Sequence, residues 1–497
     1  MIPLSLAQIA EIVGGTLHDA PDPHALVTGS VEFDSRTVAP GGLFAALPGA
    51  RVDGHDFART AMARGAVAIL AARPVGVPAI VVTPRGKTDS NAELFRHDTD
   101  GSAAAVVEAM SALARAVVDR LGREHGLRVI GVTGSAGKTS TKDLIASVLR
   151  RLGPTVAPPG SFNNEIGHPY TALRCEPETR FLVAEMSARG LGHIAHLVRI
   201  APPFMGVELN VGSAHLGEFG SRDTIAQAKS ELVTALPPAG VAVLNADDDY
   251  VLSMTQQTRA RVCTFSAAGN PQSDLYATDV ELDDVARASF NLHYRGENAR
   301  VALRVFGAHQ VPNALAAAAV GLENGLGLAQ VAEALSAHVT ASAHRMDVQT
   351  RADGVTVIND TYNANPDSMR AGLAALASTA AARPKARSVA VLGEMSELGE
   401  EALAAHRELG RQVALQRITA LVMVGASEPC RAVARAAAHG GVHTTEVDTL
   451  DEAVTALEGT LEPGDAVLVK ASHSQGLWRI AERLVTAHDD TTRDVSR

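Results

Sequence analysis

The chain has 497 residues, 46% of them hydrophobic, and a formal net charge of −11 at neutral pH. That length exceeds what one core organises and predicts about three domains. The negative balance, with no Lys/Arg cluster, excludes a nucleic-acid partner, which needs a basic face to meet phosphates, and 3% aromatic residues leave no base-stacking platform.

No run of 18 or more apolar residues occurs, and the opening "MIPLSLAQIAEIVGG" lacks the basic start and small-residue cleavage site of a signal peptide. The expectation is a soluble cytoplasmic protein with no membrane insertion. Cys175, Cys263 and Cys430 are far apart and show no C-x-x-C spacing, so neither a disulfide framework nor a zinc site is predicted.

Residues 1 to about 83 mix short apolar runs with turn-rich segments and predict a small α/β domain. The polar stretch Thr83 to Ser102 reads as a linker or surface insertion, giving a first domain of 1–100. From 101 to 338, strand-like "RVIGVTG", "RFLVAEMS", "FMGVELNV" and "GVAVLNADDD" alternate with helical patterns, which predicts a mostly parallel sheet. Between Leu275 and Phe306, apolar and polar residues alternate, predicting antiparallel strands added at that sheet's edge. From 339 to 497 the strand–helix rhythm resumes as a third, Rossmann-like α/β domain without a G-x-G-x-x-G loop. The tail "HDDTTRDVSR" reads as disordered. The fold class is therefore α/β in three domains.

Within "GVTGSAGKTS" an apolar strand runs into a glycine-rich turn that opens a helix. Backbone N–H groups from Gly134, Ser135, Ala136, Gly137 and Ser140 can cradle phosphates there, Lys138 can reach the β and γ oxygens, and the Thr139 hydroxyl can ligate Mg²⁺. The common pattern G-x-x-x-x-G-K-[ST] would put its first glycine where Val132 stands. The bland alternative is a glycine turn with a solvated lysine. Glu185 ends the strand "FLVAE" at a sheet's ligand-binding edge and is a natural Mg²⁺ ligand beside that loop. His215 and Lys229 are separated by 14 residues; alone, such residues are structural or solvated.

These segments together resemble the Mur ligases, ATP-dependent amide-forming enzymes of peptidoglycan precursor synthesis. The resemblance covers nearly the whole chain. It implies a short G-x-x-G-K-[ST] loop, which accounts for Val132, and a His followed 14 positions later by a carbamylated Lys. On that likeness His215 and a carbamylated Lys229 hold a second Mg²⁺, with Thr139 and Glu185 on the first. Lys138, Glu185, His215 and Lys229 are then the catalytic set. Similar segments at "NADDD", "GAHQVPNALAAAA", "HRM" and "INDTYNANPDSM" imply ATP contacts from Asn245, His309, Asn313, Arg345 and Asp360. The 161–169 segment "SFNNEIGHP", the 359–369 segment "NDTYNANPDSM" and the 391–400 segment "VLGEMSELGE" resemble the branch that adds D-alanyl-D-alanine to UDP-N-acetylmuramoyl-tripeptide. These two are then the implied partners, and Asn163, Asn164 and Asn363 implied substrate residues. The N-terminal "FDSRTVAPGGLFAALPGARVDGHDF" is similar to a uridine-diphosphate pocket, implying Ser35, Arg36 and Arg51. The likeness thus labels 1–100 a UDP-substrate domain, 101–338 an ATP-binding domain and 339–497 a ligase domain, in a monomer. "LVKASHSQGLW" departs from the family's K-[GA]-S-R segment by carrying His473. The alternatives are another amide ligase of the superfamily, at a different peptide step or like a folylpolyglutamate synthetase, and a non-ligating P-loop protein; against a GTPase, "NADD" is not the expected N-K-x-D.

Overall fold

A computed structural model of the protein describes residues 1–494 apart from 50–51, 85, 87–94, 96, 213–215, 341, 343, 384 and 397. The chain forms three α/β units, each built on its own sheet.

In the first unit, the helix Leu6–Val13 is started by a capping box between Ser5 and Gln8 and ended at Gly14, whose φ of 63° suits a residue without a Cβ. It packs near a five-stranded sheet whose central strands, Leu43–Ala45 and Ala68–Ala71, are apolar and buried throughout. Such continuous burial is what parallel strands covered on both faces require. The long helix Ser102–His125 follows, its first turn held by the Asp98 carboxylate, which accepts from the backbone N–H groups of Ala103 and Ala104.

The central sheet has nine strands. In spatial order from one edge they are Glu297–Phe306, Arg287–Tyr294, Leu275–Leu282, Arg261–Ser266, Val241–Asn245, Met205–Glu208, Arg128–Thr133, Phe181–Glu185 and Thr155–Val156. The pairs among the last six are parallel, and the segment 275–306 supplies the antiparallel edge expected from its alternation. Arg128–Thr133 comes first in the chain yet sits inside the sheet, with strands added on both sides. That reversal makes a crevice beyond its C-terminal end, where parallel sheets bind ligands. Two glycines let a helix settle on this region. A Cβ on Gly131 would stand 2.7 Å from Leu232 Cδ1, and one on Gly206 would stand 3.1 Å from Leu232 Cγ. The helix Arg222–Thr234 therefore lies close over both strands, and Lys229 is fixed one turn before Leu232.

A buried polar joint ties the first two units. Glu32 accepts from the Tyr170 hydroxyl at 2.8 Å and the Arg174 guanidinium at 3.5 Å, and the Phe33 and Tyr170 rings lie 4.9 Å apart.

The third unit is a six-stranded sheet with Asp347–Thr350 antiparallel at one edge and five parallel strands after it. Where it is described, the tail does not follow the sequence expectation of disorder: the helix that starts at Trp478 continues to Asp494, and 495–497 lie outside the described residues. Extending an existing helix costs far less than nucleating one, so a polar end can ride on an amphipathic start. Among the described residues no helix is long and apolar enough to cross a membrane.

Candidate active site

The phosphate loop is as short as a strand-to-helix turn allows. Thr133 ends its strand, four residues intervene, and Lys138 opens the helix Lys138–Leu149. Val132 is therefore a strand residue, paired in register with Glu185, and has no loop conformation to adopt. Gly137 has φ 85°, and a Cβ there would fall 2.6 Å from Asn313 Oδ1, so neither its backbone nor its surroundings admit a side chain. Asn210 clamps the loop from the next strand: its side-chain oxygen accepts from Ala136 N–H at 2.9 Å and its amide donates to Ala136 O at 3.1 Å.

Lys138 Nζ donates to Gly134 O at 2.7 Å, folding the side chain over the loop. Burial pushes its pKa down, with Glu185 opposing and the Arg345 charge adding to the fall. A buried ammonium with so little compensation is a site that anionic phosphate stabilises.

Beside it runs a directed chain of hydrogen bonds. Thr139 Oγ1 donates to Glu185 Oε2 at 2.9 Å, which uses its only proton. Ser161 Oγ, 2.6 Å away, must then donate to Thr139, and Ser161 accepts from Arg345 Nη2 at 2.7 Å. Asn163 Nδ2 donates to the other Glu185 oxygen at 2.7 Å. A hydroxyl and a carboxylate thus meet beside the loop, a hard-oxygen pair of the kind Mg²⁺ takes. They fit the first predicted metal position.

Ser135 through Ser140, Glu185, Asn245, His309, Asn313, Arg345 and Asp360 all border one cleft of about 750 Å³, together with Asn163, Asn164 and Asn363. Gly134 adjoins it as the acceptor of the Lys138 bond. The far wall belongs to the C-terminal unit. There Asp360 pairs with the buried Lys470 at 2.5 Å and accepts from Met346 N–H, and burial lowers the pKa of the facing His309. Arg345 lies 4.0 Å from the Tyr362 ring centre, stacked as a cation on an aromatic face.

Lys229 is 5% exposed. Burial pushes its amine down to about 7, and the Lys138 charge adds to the fall while Glu208 opposes it. Glu208 is fully buried, both its carboxylate oxygens lack hydrogen-bond partners among the described residues, and burial drives its pKa well up. For this tightly coupled pair, exclusion from water favours the uncharged amine and the uncharged acid. Ser35 and Arg36 are not brought to the cleft. Ser35 is nearly buried in the first unit, while Arg36 is 81% exposed and paired at 2.8 Å with Asp34. His215 and Arg51 lie outside the described residues.

Sequence reasoning singled out neither Ser161, Asn210, Glu208, Tyr362 nor Lys470. Only a strand-end position marked Glu208 and Lys470 in advance; Asn210 and Ser161 act through partners 74 and 22 residues away and had no local signal.

Two glycines show how closely the units approach. A Cβ on Gly212 would stand 2.2 Å from Asp367 Oδ2, and one on Gly217 would stand 2.7 Å from Leu398 O and 3.2 Å from Gly399 Cα. Gly217 meets backbone, which cannot rotate away. Gly217→Ala is therefore expected to push the central and C-terminal units apart and slow turnover about tenfold, the size of an overpacking penalty of ~1–3 kcal/mol. ATP affinity of the central unit should be unchanged; steady-state kinetics beside nucleotide titration checks both.

A phosphate loop on a parallel sheet, with a second α/β unit placing Arg345 and Lys470 on the cleft wall opposite it, is the arrangement of a nucleotide-dependent enzyme. Three family profiles match the chain: "Mur ligase family, catalytic domain" over 29–117, "Mur ligase middle domain" over 132–321, and "Mur ligase, glutamate ligase domain" over 344–473. The chain belongs to the Mur ligase family. It is 54% identical, over all of both chains, to the UDP-N-acetylmuramoyl-tripeptide--D-alanyl-D-alanine ligase of Mycobacterium tuberculosis. The enzyme of the same name from Escherichia coli is 31% identical over 97% of this chain and 99% of its own. Among solved structures, MurF from Acinetobacter baumannii matches with a TM-score of 0.81 and 30% identity over 97% of this chain and 99% of that one. MurF ligase from Thermotoga maritima in complex with ADP matches with a TM-score of 0.75 and 27% identity over 94% and 99%.

Proposed function

We propose that this chain is an ATP-dependent, ADP-forming ligase that joins D-alanyl-D-alanine to UDP-N-acetylmuramoyl-tripeptide in peptidoglycan precursor synthesis. The observation that carries the reading is its likeness, along its full length, to enzymes of that name. The chemistry of the cleft agrees with it. The proposal assigns UDP-substrate binding to 1–100, ATP binding to 101–338 and nucleophile delivery to 339–497, in a cytoplasmic monomer.

A carboxylate is a poor acyl donor, because its charge repels an amine and oxide is a bad leaving group. Attack by the tripeptide carboxylate on the γ-phosphorus of ATP breaks the bond to the bridging oxygen, giving an acyl phosphate and ADP. The dipeptide amine then adds to the acyl carbon, loses its proton, and phosphate departs with the carbon–oxygen electron pair. Lys138, with the loop N–H groups, faces the oxygens on which charge accumulates. Arg345 reaches the same end from the opposite wall, bound through Ser161 to Thr139. Thr139 and Glu185 would hold one Mg²⁺, and His215 with a carbamylated Lys229 a second, supplying further charge neutralisation at the phosphates. The close seating of Gly212 and Gly217 against the C-terminal unit supports a closed cleft that keeps water from the acyl phosphate.

The test is incubation of enzyme, ATP and Mg²⁺ with each UDP-muramoyl peptide and D-alanyl-D-alanine, identifying products by mass. ADP release without the dipeptide, or a product from a shorter UDP-peptide, would replace this assignment. Arg36→Ala is expected to raise KM for the UDP-peptide roughly tenfold, the loss of one charge-assisted contact. Because Arg36 stands apart from the cleft, KM for ATP should not move; a changed ATP KM would remove it from the substrate pocket.

A further inference from the structure

Of the described residues on the C-terminal wall of the cleft, three can carry positive charge: Arg345, Lys470 and His473. Two are committed. Lys470 is 1% exposed, paired with Asp360, and donates to Asn363 O at 2.9 Å. Arg345 is bound to Ser161 at the phosphate end.

The His473 ring makes no hydrogen bond or ion pair among the described residues and is exposed to the cleft. Its position is nevertheless fixed. It begins a short turn after the strand Ala466–Lys470, and both flanks of that turn are tied to the neighbouring strand end. Ser472 Oγ accepts from Ser396 N–H at 3.1 Å, and Gln475 binds both the N–H and the C=O of Glu394. The ring sits 5.5 Å from that of Tyr362, whose other neighbour is Arg345.

The ligase reading requires a dipeptide to enter with its amine at the acyl carbon beside the phosphate loop. Its terminal carboxylate then lies farther along the same wall. An extended dipeptide spans about 7 Å, and a hydrogen bond at each end adds ~3 Å. The Arg345 guanidinium lies 4.0 Å and the His473 ring 5.5 Å from the Tyr362 ring, so both fall within that span. A carboxylate leaving water needs a donor, and a charge-assisted one serves best.

We propose that His473 binds the terminal carboxylate of the dipeptide nucleophile and so selects a free acid over a neutral C-terminus. The inference rests on the ligase reading. It is tested by comparing kcat/KM for D-alanyl-D-alanine and for its C-terminal amide in wild type, His473→Ala and His473→Arg. The wild type should favour the acid by about ten- to a hundredfold, the worth of one charged hydrogen bond. His473→Ala should bring that ratio close to one by losing activity on the acid alone, and His473→Arg, which supplies a planar cationic donor at the same position, should retain it. Equal use of acid and amide by the wild type, or an undiminished ratio in His473→Ala, overturns the inference and leaves the ligase reading standing. A wild type that ligates neither nucleophile overturns the ligase reading and this inference with it.

Discussion

Lys138→Ala is expected to abolish ligation while leaving the fold intact. Among the described residues the ammonium is held by one hydrogen bond, to Gly134 O, within its own loop. Losing that bond frees a loop carbonyl that water reaches in the absence of substrate, so the melting temperature should barely move. Turnover is different. The transferring phosphoryl group spreads charge over oxygens that face this lysine in a site with little water, where one preorganised charge contributes about 3 kcal/mol or more, roughly a hundredfold or greater in rate. Thr139 and Glu185 keep their mutual hydrogen bond in the variant, so the loss isolates the lysine's own contribution. ADP release in a coupled assay, beside a circular-dichroism melt, measures both quantities. Near-normal turnover in a well-folded variant would remove the phosphate loop from the reaction.

What the sequence discloses about this site divides by how local the cause is. The strand, turn and helix around Gly134–Thr139 are consecutive, so their order reads directly, and Glu185 declares itself by ending a buried strand. The antiparallel edge at 275–306 was equally legible, because alternation is a property of the segment itself. The Asn210 clamp, the Ser161 relay and the Asp360–Lys470 pair were not. Each exists only because the fold brings distant segments together, in the last case across 110 residues and two strands of one sheet. Glu208 shows the converse. Reading "MGVE" as a strand is straightforward, but only the glycine-notched seat of the helix Arg222–Thr234 sets that acid beneath Lys229, where burial drives both toward neutrality. The helical tail was missed because its own residues are polar and its support comes from the helix before it.

Lys229→Arg is expected to be as inactive as Lys229→Ala, at least about a hundredfold below wild type, although it keeps a positive charge. Only a neutral primary amine captures CO₂, and burial holds the Lys229 amine near 7, so the neutral form is abundant at ordinary pH. Capture exchanges a cation for a carboxylate, the hard-oxygen donor that Mg²⁺ prefers. Burial that favours the uncharged form of Glu208 matters here, since a second anion would oppose the new charge. Arginine is charged at every accessible pH and forms no carbamate, whereas Lys229→Glu places a carboxylate on a shorter arm and should retain a trace of activity. The sign of the pH effect follows from the lowered pKa: protonation below about 7 removes the nucleophilic amine, so carbamylation should decline as pH falls through that value and persist above it. Because carbamates are lost in acid, the measurement is ¹³C NMR at pH 8 after equilibration with ¹³C-bicarbonate and Mg²⁺, reading a carbamate carbon present in wild type and absent from Lys229→Ala. A wild type without that signal, or full activity in Lys229→Arg, would show that Lys229 works as an amine and that the charge at this position, not a carboxylate, is what the reaction uses.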